Sequence, residues 1–208
     1  MRRGLVVFTR TTGYRHDSIA AGVRALRQLA PVCEATEDPA RLVQLLGDAR
    51  FGAVVFLNTS GEVLDPAQQA GFERFVRAGG GFVGIHSACD TGYAWRFYGG
   101  LVGAYFSSHP HVQAATVRPT SGAAWTRVDE WYDFDVNARA RPGLHVLAVV
   151  DEASYEGGKM GADHPIAWQH AYEGGRAFYT GLGHTEDGFA DARYVEQLRA
   201  GIAYALVD

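Results

Sequence analysis

The chain has 208 residues, 47% of them hydrophobic and 20% charged, and its 19 basic and 23 acidic side chains give a formal net charge of −4. One domain over 1–208 with a substantial core is expected at this length, and a nucleic-acid interface is not, because phosphate binding needs clustered Lys and Arg and Lys159 is the only lysine. No run reaches the ~18 apolar residues of a membrane span, Met1-Arg2-Arg3 leads into a strand-like run too early for a signal peptide, and Cys33 and Cys89 form no CxxC pattern, so a cytoplasmic protein without membrane contact, disulfide framework or cysteine zinc site is expected.

In chain order, Leu5-Val6-Val7-Phe8 predicts a first buried strand, and Ile19, Val23, Leu26 and Leu29 recur at helical spacing. Leu42, Leu45 and Leu46 predict a short second helix, and Val54-Val55-Phe56-Leu57 another strand. A third helix carries Phe72, Phe75 and Val76. It starts at Asp65-Pro66, where Asp can cap and Pro fits the first turn, and stops at Gly79-Gly80-Gly81. Phe82-Val83-Gly84-Ile85 is the next strand, and Leu144, Val146, Leu147 and Val149 mark one further on, all of lengths that suit a parallel sheet covered on both faces. Residues 105–142 interrupt the alternation with extended runs, Val112 to Val117 and Trp125 to Val128, read as an antiparallel extension. Strands near 166–170 and over Arg176–Thr180, then an amphipathic helix from Ala192 to Leu206, complete an α/β fold with a doubly wound, mostly parallel sheet.

Ligands of such sheets bind beyond the carboxyl ends of the strands. Three strand ends carry histidine: Tyr14-Arg15-His16-Asp17 after the first, His86-Ser87-Ala88-Cys89-Asp90 after Ile85, and His184-Thr185-Glu186 after the late strand. An imidazole alone in a loop is commonly a satisfied polar group. Three at neighbouring strand ends point instead to proton transfer or metal ligation at one site. Gly84 and Ala88 flank His86 as small residues flank the apex of a nucleophile elbow, a sharp strand-to-helix turn. This segment resembles the class I glutamine amidotransferase-like fold, whose glutaminases place cysteine at that apex and a His-x-Glu pair late in the chain. Here His86 takes the cysteine position and cannot replace the thiolate, so no glutaminase activity is expected. Cys89 is expected to pack, and Ser87 to point away from the apex.

A resemblance over nearly the whole chain is to the ThuA-like, trehalose-utilisation family of that superfamily. It is carried by Gly13-Tyr14-Arg15-His16, Gly84-Ile85-His86-Ser87-Ala88 with Asp90-Thr91, Tyr98-Gly99-Gly100-Leu101-Val102-Gly103-Ala104-Tyr105-Phe106 with Ser108-His109-Pro110, Asp129-Glu130-Trp131-Tyr132, His164-Pro165-Ile166-Ala167-Trp168, and Tyr179-Thr180-Gly181-Leu182-Gly183-His184. The resemblance implies a flavodoxin-like sheet and a link to sugar metabolism. His109 and His111 stand two apart, His109 being the better ligand or sugar contact, and His145 alternates within an apolar strand as a core or edge histidine.

The leading expectation is a carbohydrate-active enzyme acting on a sugar or oxidised sugar by acid/base chemistry of His16, His86, His109, Glu130 and His184. Tyr14, Arg15, Ser87, Asp90, Trp95, Trp131, Trp168 and Glu186 are expected to bind the substrate. Two alternatives stand beside it: a catalytically silent small-molecule binding module, and an enzyme whose imidazoles hold a divalent metal such as zinc. The expected partner is a small molecule, and a homo-oligomer is allowed.

Overall fold

The computed structural model describes residues 4–206. The chain opens with β1 (Gly4–Phe8), α1 (Ile19–Leu29), β2 (Cys33–Thr36), α2 (Pro39–Leu46), β3 (Phe51–Leu57), α3 (Pro66–Arg77) and β4 (Gly81–Ile85). A single 3-10 turn over His86–Asp90 leads to α4 (Arg96–Val102), then β5 (Phe106–Ser108), β6 (Gln113–Pro119), β7 (Trp125–Asp129) and β8 (Asp133–Phe134). The chain closes with β9 (His145–Asp151), β10 (Pro165–Tyr172), β11 (Gly175–Thr180) and α5 (Ala192–Ala205).

Nine strands form one sheet in the order β2-β1-β3-β4-β11-β10-β9-β6-β7. The first five run parallel and the remaining neighbours antiparallel, so the expected α/β fold and its extension are present. β5 and β8 pair separately as a short antiparallel ribbon. The sheet has a core on each face. Phe56, Phe72, Phe82 and Tyr98 meet between the sheet and α2, α3 and α4, whereas Leu26, Leu57, Phe178, Leu198 and Ile202 meet between the sheet and α1 and α5. Each fully buried Phe or Leu contributes about 1.5–3 kcal/mol, which fixes the strand register and hence where each strand end delivers its loop.

Local chemistry accounts for the helix ends. Asp65 accepts from Gln68 N–H while the Gln68 amide returns to the Asp65 N–H, a reciprocal cap with Pro66 in the first turn. The strand over His145–Asp151 departs from expectation. It pairs antiparallel with β10 and β6, and its burial alternates because only one face meets a core. His145, at its start, is exposed. Two elements were hidden in the sequence. β2 is a half-buried edge strand with no apolar run, and α4 contains Gly99-Gly100, which ordinarily argue against a helix. In the fold Tyr105 and Tyr172 occupy the space a Cβ would need at those glycines, so any larger residue there must displace a tyrosine ring.

Candidate active site

The sharp turn after β4 places His86 at φ 50°, a left-handed backbone conformation that non-glycine residues seldom adopt. This is the elbow geometry expected of the apex. Its imidazole is fully buried, stacks on Tyr132 with centroids 4.2 Å apart, and donates Nδ1–H to the Gly181 carbonyl at 2.7 Å. A carbonyl can only accept, so in the neutral ring the Nε2 lone pair is the free one.

That nitrogen lies beside Glu130, which follows β7 directly. Glu130 Oε2 lies 3.3 Å from His86 Nε2, 3.1 Å from His184 Nδ1 and 4.0 Å from His16 Nε2, and Glu130 Oε1 lies 3.1 Å from His109 Nδ1. All five residues proposed for chemistry from the sequence therefore meet on one carboxylate. His16 comes from the loop after β1, His184 from the loop after β11, and His109 from the loop after β5. His16, His86 and Glu130 are buried, His184 is partly open, and the His109 side chain is 40% exposed at the rim.

The loops are locked to one another. Ser18 Oγ–H donates to the Gly183 carbonyl at 2.8 Å, and Asn58, also at positive φ after β3, donates its amide to Ser18 Oγ and to the same carbonyl. Asp129, fully buried, accepts the Gly183 and His184 N–H groups and pairs with the Arg127 guanidinium at 2.8 Å. Gly183 itself, at φ 128°, passes where a Cβ would press on Ile85 and Tyr194.

Electrostatics follow from this packing. Burial alone would push the Glu130 carboxyl up, but the surrounding imidazoles of His16, His184 and His86 outweigh it and hold the group well below the usual carboxylate range. Burial lowers His16, assisted by the imidazoles of His86 and His184, while Glu130 raises His184. Burial pushes the Asp90 carboxyl up, against the Tyr93 hydroxyl bonded to it.

The arrangement can hold a cation. One donor atom from each of His16, His86, Glu130 and His184 lies within 4.8 Å of the others. His86 Nε2 and His184 Nδ1, although close to Glu130, are not aligned for hydrogen bonding and have no partner. The separations of 3.3 Å and 3.1 Å from Glu130 Oε2 are those of neighbouring ligands: for zinc bonds of ~2.0–2.1 Å a tetrahedral edge is about 3.3 Å. The Gly181 carbonyl behind His86 is the outer-shell acceptor that metal-binding imidazoles ordinarily have. A second group, Asp133, Glu152 and His164, is occupied otherwise: Asp133 accepts from Lys159 N–H and Ser108, Glu152 accepts from Met160 N–H, and His164 bonds the Tyr132 carbonyl. It braces the segment that carries Glu130.

Around the cluster, Ser87 Oγ lies 3.3 Å from His16 Nδ1, so it faces the imidazoles rather than away from them, and the exposed Tyr14 ring packs edge-on to His16. Asp90 ends the elbow turn. Arg15 turns aside to pair with Glu37, and Glu186 is exposed and bonds none of the five. The tryptophans are not binding platforms. Trp95, Trp131 and Trp168 are 6%, 1% and 0% exposed, and their indole N–H groups donate to Glu73, the Gln113 carbonyl and the Val102 carbonyl. Their large apolar surface wins them core positions, leaving no ring face for a sugar. Cys89 is likewise buried, accepts from the Tyr179 hydroxyl, and has its thiol pushed far up by burial. Asp129, next to Glu130, and Tyr132, two residues on, were unassigned; a second carboxylate beside a candidate acid was the available signal.

Among the described residues no helix is long and apolar enough to cross a membrane. No curated protein matches the chain. Its fold is shared with a ThuA-like protein from Bacteroides uniformis (20% identity, 96% of this chain and 89% of that one, TM-score 0.78). A ThuA-like protein from Parabacteroides merdae is also similar (16% identity, 99% and 90%, TM-score 0.73). The β-galactosidase from Bacillus circulans contains a similar fold in 30% of its length, matched by 96% of this chain at 13% identity and TM-score 0.60. Residues 4–205 match the family described as ThuA, trehalose utilisation, and with the match spanning almost the entire sequence, this chain belongs to that family.

Proposed function

We propose that the protein is a sugar-active enzyme in which His16, His86, His184 and Glu130 hold a divalent cation and His109 transfers the proton. The observation that carries this reading is the off-axis convergence of three imidazoles on one carboxylate, with His86 Nε2 and His184 Nδ1 buried and unpartnered. Imidazole and carboxylate together suit zinc or a neighbouring first-row ion. Such an ion, when bound, acts as a Lewis acid toward a sugar hydroxyl or carbonyl oxygen.

The chain's own groups do the remainder. His86 is fixed by its bond to Gly181 and by the Tyr132 ring, so its Nε2 direction is set before any ligand arrives. His109, outside the four-residue group and exposed at the rim, can exchange a proton with solvent through its other ring nitrogen, while its Nδ1–H donates to the Pro110 carbonyl at 2.8 Å and lies 3.1 Å from Glu130 Oε1. The sugar class rests on the family description.

Elemental analysis of protein purified without chelator, followed by zinc titration of the apoprotein, tests the cation. About one ion per chain, lost in Glu130→Gln, is expected. Failure to bind zinc or cobalt would remove the cation and leave direct His–Glu acid/base catalysis, for which trehalose and its oxidised derivatives are the substrates to assay. A protein with neither ion nor turnover is a binding module.

A further inference from the structure

The pair Gly99-Gly100 has no part in the histidine site, and with Phe97 and Glu173 it lines a separate cavity of about 660 Å³. Arg77, Arg96, Arg141, Tyr93, Tyr105 and Tyr172 surround it. This volume lies within the ~300–1,000 Å³ usual for small-molecule sites. The two glycines flatten α4. A Cβ at Gly99 would come within 2.8 Å of Tyr105, and one at Gly100 would collide with the Tyr172 ring and hydroxyl. The glycines thus let the hydroxyl ends of both tyrosines approach the helix closely, and Tyr93 stacks on Tyr105 at 4.8 Å.

The arginines are not equivalent. Arg77 is engaged by Glu73 and Glu173 and lies over the Phe97 ring at 5.0 Å. Arg96 and Arg141 take part in none of the arginine ion pairs among the described residues. Arg141 Nε is buried with no hydrogen-bond partner at all. A buried guanidinium N–H without an acceptor is costly, and two unpaired guanidiniums facing one cavity match the charge of a phosphate dianion, whose oxygens accept bidentate bonds from arginine.

We propose that this cavity binds a small phosphorylated molecule, its phosphate held by Arg96 and Arg141 and its ring lying against the tyrosines. A sugar monophosphate is the class that fits both parts. The site is distinct from the histidine cluster and does not depend on the function assigned to it.

Calorimetric titration of the full chain at low salt with glucose 6-phosphate, inorganic phosphate and glucose tests the proposal. Binding of glucose 6-phosphate, weaker binding of inorganic phosphate and none of glucose are expected. Arg141→Gln and Arg96→Gln should each weaken binding by about tenfold or more, equivalent to one lost charged contact, whereas Glu130→Gln should bind as the parent does. Arg96 is exposed at the start of α4, so its variant carries the test if Arg141→Gln melts early. Absence of binding by either phosphate overturns the proposal. So does an Arg96→Gln, Arg141→Gln double variant that binds normally, or loss of binding in Glu130→Gln alone, which would place the ligand among the histidines.

Discussion

Replacing Asp129 with Asn is the most searching perturbation of the site, because Asp129 touches no substrate position yet holds the loop that delivers His184. Its Oδ2 accepts from Arg127 Nη2 and Gly183 N–H, and its Oδ1 from the His184 and Glu130 N–H groups. Asp129 is 0% and Arg127 5% exposed, and Arg127 Nε and Nη1 already lack partners. The asparagine side chain keeps one accepting oxygen and puts an NH2 in place of the other, so either the His184 and Glu130 N–H groups or the Gly183 N–H and the guanidinium must face an N–H instead. Breaking a buried ion pair from one side costs about 3–5 kcal/mol, which at ~2–4 °C per kcal/mol for a chain of this size lowers Tm by roughly 6–20 °C. The same energy, expressed locally, loosens the 183–184 turn and should weaken zinc binding. Thermal unfolding followed by circular dichroism measures the first effect and metal titration the second. An Arg127→Met, Asp129→Asn double variant should regain part of the loss, since the unpaired cation is gone. An Asp129→Asn protein that melts within ~2 °C of the parent would refute the account of the buried pair.

Further outcomes follow from other groups. His109→Gln should retain its bound ion while turnover falls by ~10²–10⁴, the range for losing a general acid or base; comparison of metal content with kcat checks both. His86→Gln should lose the ion, and added zinc should not restore full activity. Cys89→Ser should leave glutamine hydrolysis absent in both proteins, and Cys89 should escape iodoacetamide until the fold is denatured, as peptide mass mapping reads, because the thiol is buried with a raised pKa. Burial lowers the pKa of His170, whose Nδ1 has no partner. The unfolded chain therefore takes up a proton near pH ~6.5 that the folded chain refuses. Stability is full above that pH and declines as pH falls below it, and His170→Gln should flatten this part of the Tm profile.

The parallel strands and the capped helices were legible because apolar runs, Asp65-Pro66 and the triple glycine each act locally. The five chemical residues were legible for another reason: strand ends of such a sheet converge, so histidines after β1, β4 and β11 had to approach one another. That Glu130 would be their common centre could not be read, because its position depends on β7, four strands beyond β11 in the sheet and paired through β6. The tryptophans show the opposite limit. Trp131 stands next to Glu130 in sequence, yet on successive backbone positions one side chain enters the site and the next enters the core. Gly99-Gly100 hid α4, since the propensity of a glycine pair carries no information about which side chains will lie over it.

The imidazoles His16, His86 and His184 belong to the parallel half of the sheet, whereas Glu130 and His109 arrive from the segment that forms the antiparallel half. A cation shared among His16, His86, His184 and Glu130 is a cross-brace between two halves that also meet along the β11–β10 seam and through Asp129. Its binding energy then adds to the cohesion of the sheet, not only to the order of the loops. Chelation should accordingly speed amide exchange in β6 and β7 as well as around the histidines, and ion occupancy becomes a quantity the far edge of the sheet can report.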